Sequence, residues 1–245
     1  MSFQFAGLVA IGLSSLAASG HAVGVKGQGT WETTLQARDI DGNGTTDAFY
    51  DTELKVTWLA TGSMGPMGPM QWGEALTWAS QNHFGMAGWR LPKTVDTGTV
   101  GCNYGYGGTD CGYNPDSSVE TGSEMAHLFF RSLGNKSFYV PGTQTLQAGW
   151  GLTNTGEFEN LHNHYTHWSG VVGPRPGPYA WVFNTFDGSQ NYGIMLHSIY
   201  RDSVGSALAV RDGDVVAVPE PQTWALMLAG LGLVAGIARR RSKQQ

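Results

Sequence analysis

From Gln222 to Ala238 the chain carries no charged residue, and Arg239, Arg240, Arg241 and Lys243 follow at once. A helix that crosses a bilayer needs at least about 17 apolar residues, so this run just reaches a span. Arginine clusters stay on the cytoplasmic side, which puts everything before Pro221 outside the inner membrane and Trp224 at the outer interface. Ahead of the run, Pro219 and Pro221 fix φ and hold Glu220 in an extended segment that an enzyme can read. On these residues a plain C-terminal anchor and a processing signal are both open.

The other end agrees with export. Phe5 to Ala18 is an apolar stretch of signal-peptide length, and Gly20-His21-Ala22 is a small-residue cleavage site. Cleavage is expected after Ala22, following passage through the Sec translocon, although no Lys or Arg precedes Phe5. The expected organisation is a signal peptide over 1–22, an extracellular domain over 23–217 and a sorting tail over 218–245. Within the tail, 222–238 is the transmembrane helix and 239–245 the basic end. Four of the 14 Lys and Arg lie in the tail and all 19 Asp and Glu lie before Gln222, so residues 23–221 carry 10 − 19 = −9. That balance excludes nucleic acid and polyanions as natural partners.

Cys102 and Cys111 enclose the loop "NYGYGGTD". In an oxidising compartment the default for such a pair is a disulfide, which would staple a loop too glycine-rich to hold itself.

Along the body, Leu54, Val56 and Trp58 alternate with polar residues as a half-buried strand does. Trp72, Ala75, Leu76 and Ala79 recur at helical spacing and predict a helix over 72–81. Thr121 and Glu124 read as a capping box ahead of Met125, Leu128, Phe129 and Leu133, with Gly134 as the stop. "HYTHWSG", "YAWVFNTF", "NYGIMLHSIY" and "SALAVRDGD" then follow as short strands between turn residues. Two helices and then a run of strands predict an α+β fold with a mostly antiparallel sheet.

The tail "VPEP", the apolar helix and "RRR" resemble the PEP-CTERM sorting signal of Gram-negative bacteria that make exopolysaccharide. The body resembles the DUF1566 family, or Lcl C-terminal domain, in "YDTELKVTWL", "GWRLP", "SEMAHLFF", "HWSG" and "ALAVRDGD". The resemblance implies a C-type-lectin-like domain distantly related to formylglycine-generating enzymes. It also implies an exosortase, a membrane transpeptidase that recognises Pro219-Glu220-Pro221 and removes or exchanges the tail. The adhesin that gave the domain its name binds sulfated polysaccharides; a body at −9 would repel them.

Four constellations are candidates for chemistry. Asp39, Asp41, Asn43 and Asp47 begin like an EF-hand loop and would take calcium, although Tyr50 stands where the twelfth-position glutamate belongs. An Asx turn explains the same residues. His162, His164 and His167 are close in sequence, and on a strand His162 and His164 would share a face with zinc-compatible reach, with an exposed polar loop as the favoured alternative. In "GWRLP", Trp89, Leu91 and Pro92 read as structural, with Arg90 paired to Glu124. Trp168 and Tyr179, with Asn184 and Asp187, are the candidate ligand contacts, since sugar faces pack on exposed rings. No Ser-His-Asp order, phosphate loop or paired catalytic carboxylates stand out. The expectation is a non-enzymatic, glycan-binding or matrix-associated surface protein with exopolysaccharide as a partner. An envelope enzyme and a purely structural matrix protein are the rival readings.

Overall fold

The computed structural model describes residues 24–62, 70–96, 111–113, 123–140, 143–162, 166–174, 176–194, 205–215 and 230–231. In chain order these form α1 (Trp31–Thr34), β1 (Leu35–Arg38), β2 (Ala48–Asp51), β3 (Val56–Leu59), α2 (Trp72–Ala79), β4 (Trp89–Arg90) and β5 (Gly112–Tyr113). The short helix α3 (Glu124–Ala126) then widens into a π-helical turn over His127–Ser132, and β6 (Thr166–Val172), β7 (Tyr179–Asn184), β8 (Ser189–Ile194) and β9 (Val210–Asp212) follow.

The strands make two sheets, in the orders β1-β2-β3-β9-β4 and β5-β8-β7-β6, and every pairing between them is antiparallel. The fold is thus α+β with few helices, as the pattern predicts. No helix among the described residues is long and apolar enough to cross a membrane. The expected transmembrane helix falls outside them except for Gly230 and Leu231, and so does the signal peptide.

Periodicity accounts for α2, whose Ala75 and Ala79 are buried on one face. The Glu74 carboxylate accepts the Gln71 N–H at 2.9 Å, which satisfies a donor the helix start would otherwise leave open. At α3 the expected cap is corrected. Ser123 is the N-cap, its side chain accepting from the Ala126 N–H, and Glu124 turns away to Arg90. The reason is competition: a guanidinium only 23% exposed binds a carboxylate more strongly than a backbone N–H does.

Two apolar clusters hold the sheets together. One gathers Ile40, Leu59, Trp89, Leu91, Trp168 and Val215; the other gathers Trp58, Phe129, Leu133, Phe183 and Val210. Both draw on residues from each sheet, so β7 is covered on both faces and Ala180 to Phe183 form a continuous buried apolar run. The N-terminal segment closes on the end of the π turn through Gly29 (φ 76°) and Gly134 (φ 65°). A Cβ on Gly29 would lie 2.6 Å from the Gly134 nitrogen, so this crossing admits only glycine.

A polar staple completes it. The buried Asn154 side chain accepts the Val25 and Gly156 N–H groups at 2.8 and 2.9 Å, and donates to the Gln28 and Leu133 carbonyls at 3.0 and 2.8 Å.

Candidate ligand-binding site

The register of β6, β7 and β8 determines what shares a face. Thr166 pairs with Asn184 and Asn184 with Ser189; one row on, Trp168 pairs with Val182 and Val182 with Asn191. Ala180 and Gly193 form the next row. These rows line a cavity of about 220 Å³, bounded by Thr166, Trp168, Val182, Asn184, Ser189, Asn191, Tyr192 and Gly193. Gly193 leaves the room, since a Cβ there would sit 3.3 Å from the Trp168 ring.

None of these residues carries a charge at neutral pH. The site offers amides and hydroxyls beside one indole, so it can both donate and accept hydrogen bonds but supplies no charge to an ionic group. Its volume is below the roughly 300–1,000 Å³ of drug-sized pockets.

Of the four expected ligand contacts, the structure brings Trp168 and Asn184 to this cavity and leaves two elsewhere. Trp168 is not an exposed loop-end ring: it is 1% exposed and its Nε1 donates to the Met70 carbonyl at 2.9 Å. Burial fixes the indole as a wall. Tyr179 packs edge-on against Tyr192, with ring centroids 5.9 Å apart. Asp187 sits in the β7–β8 turn, where its Oδ1 accepts the Ser189 N–H at 2.8 Å and burial raises the carboxyl above its ordinary range. Thr166, Ser189 and Asn191 are missed by sequence reasoning. Ser189 and Asn191 alternate with Gly193 along one strand, which was the available signal, but their position beside Asn184 depends on register.

The other candidates fall as follows. The Asp39, Asp41 and Asp47 carboxylates converge, with one oxygen of each within 4.8 Å of the others. They also serve their own turn. Asp39 accepts the Gly42, Asn43 and Gly44 N–H groups, Asp47 accepts those of Ile40 and Asp41, and Asp41 binds Asn43. Each carboxylate keeps oxygen lone pairs beyond these bonds, so the set fits a hard cation chemically.

Arg90 donates to both Glu124 oxygens at 2.8 Å, and Asp212 and the Lys93 N–H complete the knot. The pair ties β4 to the start of α3 and to β9. Trp89 and Leu91 are buried beside it, and the Pro92 carbonyl accepts the Gly170 N–H. Glu124→Ala is expected to lower stability by about 2 kcal/mol, because a half-buried guanidinium loses both bonds of its buried partner and keeps only the exposed Asp212. Thermal melting checks this; an unchanged melting temperature with lost ligand binding would move Arg90 to the site.

His164 lies outside the described residues. His162 is near enough to His167 to act on its charge, and His167 itself is wholly buried with an Nδ1 that has no hydrogen-bond partner. Burial first, and His162 second, hold its pKa down to about 4. Cys111 is buried and is not a free thiol; Cys102, Pro219, Glu220, Pro221 and Arg239 to Arg241 lie outside the described residues.

No curated protein and no solved structure matches the chain, so the DUF1566 resemblance and the C-type-lectin-like fold it implies gain no support there. Residues 217–242 match the PEP-CTERM protein-sorting motif, which implies a protein that is exported and sorted to the surface by an exosortase.

Proposed function

We propose that the exported body is a non-enzymatic module that binds a neutral glycan, delivered to the surface or matrix by exosortase processing at Pro219-Glu220-Pro221. The observation that carries this reading is the uncharged cavity lined by Trp168, Asn184, Ser189 and Asn191. A surrounding charge of −9 favours neutral sugars over sulfated ones, because an anionic chain meets repulsion and no guanidinium clamp in the site. In this reading Cys102 and Cys111 pair, and Asp39, Asp41, Asn43 and Asp47 hold calcium and stiffen the β1–β2 turn.

A glycan array and the host's own exopolysaccharide, each with calcium and with chelator, provide the test. The domain is expected to bind neutral glycans saturably and to ignore sulfated ones, with Asn184→Ala weakening binding about tenfold, the loss of one or two good hydrogen bonds. Loss on chelation would assign a role to the acidic turn. An array without binding in either condition would leave a structural or enzymatic role.

A further inference from the structure

The chain stays fastened to the domain until just before the sorting motif. After β9 the Gly213 N–H donates to the Lys55 carbonyl at 2.9 Å, and the Thr57 hydroxyl donates to the Gly213 carbonyl at 2.7 Å. Asp214 accepts two bonds from Arg38, both at 2.8 Å. Val215 is 2% exposed and packs in one cluster with Ile40, Ala48 and Leu59. Since Arg38 directly precedes the Asp39–Asp47 turn and Ile40 lies within it, Asp214 and Val215 sit beside that turn, whose Asp41, Asn43, Gly44 and Thr45 are exposed.

Only residues 216–218 separate Val215 from Pro219. Covalent geometry caps that distance at about 14 Å, and the reach to Gln222, where the uncharged run starts, at about 25 Å. A domain of this length has a radius of gyration of about 16 Å. The motif therefore cannot be presented on a free tether: an enzyme closing on Pro219-Glu220-Pro221 meets the surface around Val215.

Resting on the exosortase reading above, we infer that the processing enzyme takes this protein with its domain folded and seated on it, and that the Asp39–Asp47 turn with the Arg38–Asp214 corner is the surface it meets. The occupant is the outward face of the membrane enzyme. Lipid headgroups are the alternative, and the test separates the two.

The experiment uses the full-length precursor in its host, with a photo-cross-linking amino acid at Thr45 or, as a comparison, at Leu146. Leu146 is 57% exposed and bridges to Tyr139, whose ring packs on Tyr113 of β5 in the other sheet. The seating predicts an enzyme adduct at least about tenfold stronger from Thr45 than from Leu146. It also predicts that a 12-residue Gly/Ser insertion after Val215, which leaves the fold untouched, removes the difference. Equal adducts from both positions, or a lipid adduct alone, would overturn it. A P219A/P221A double variant guards the underlying reading: if it is processed like the wild type, exosortase sorting fails. If only the motif variant blocks processing and Thr45 gives no enzyme adduct, the seating alone fails.

Discussion

Asn154→Ala is expected to cost about 4 kcal/mol and to lower the melting temperature by about 10 °C in a domain of this size. The side chain makes all four hydrogen bonds that an amide in this position can use, and each partner is a backbone group. Those groups belong to three separate stretches: the N-terminal segment at Val25 and Gln28, the end of the π turn at Leu133, and the turn at Gly156. Alanine fills part of the space and satisfies none of them, leaving buried donors and acceptors open. Asn154→Asp keeps the acceptors and loses the donors, so it should fall between the two in a melting series. A melting temperature within 2 °C of wild type for the alanine variant would show that water replaces the amide.

Acid is expected to destabilise the fold by up to about 3 kcal/mol through His167 alone. The unfolded imidazole takes up its proton near pH 6.5, whereas the buried one resists until about 4. Between those values the unfolded chain holds the extra proton, so stability is intact above about pH 6.5 and is lost as the pH falls toward 4. His83, half-buried and also held down by burial, adds to the same slope. Asp51 and Asp187, raised by burial, work in the opposite sense. Denaturant midpoints between pH 7.5 and 4.5 measure the sum, and His167→Leu isolates the histidine. The variant should show a shallower pH slope with similar stability at neutral pH; an identical slope would mean that His167 reaches a proton acceptor on folding.

These two effects mark where sequence reading stops. The 3.6-residue spacing of Ala75 and Ala79 gives α2, whereas the half-buried strand expected from Leu54, Val56 and Trp58 is corrected. β3 is buried at all four positions, because one apolar cluster takes Trp58 and the other Leu59, and Leu54 lies in the turn before it. Arg90 and Glu124 are legible as partners because a guanidinium next to apolar residues must find a carboxylate. The insertion of β9 between β3 and β4 is not legible, since it pairs residues more than a hundred positions apart and its three residues resemble any short strand. Trp168 shows the same limit from another side. An aromatic residue near glycines reads as a loop-end platform, but burial by both sheets makes it a cavity wall. Asn154 gives no sequence signal at all, because an asparagine between threonines is an ordinary loop composition and its worth lies in three distant backbones.

The cavity is the part of the account that bears most on function, and calorimetric titration of the folded domain with neutral oligosaccharides from the host's exopolysaccharide tests it most directly. One saturable site is expected, whose affinity changes little between about 0.05 and 0.5 M salt, as uncharged groups are hardly screened, and which weakens about tenfold in Asn184→Ala with little change in melting temperature. Binding of unchanged affinity in Asn184→Ala, or binding that collapses with added salt, would contradict it.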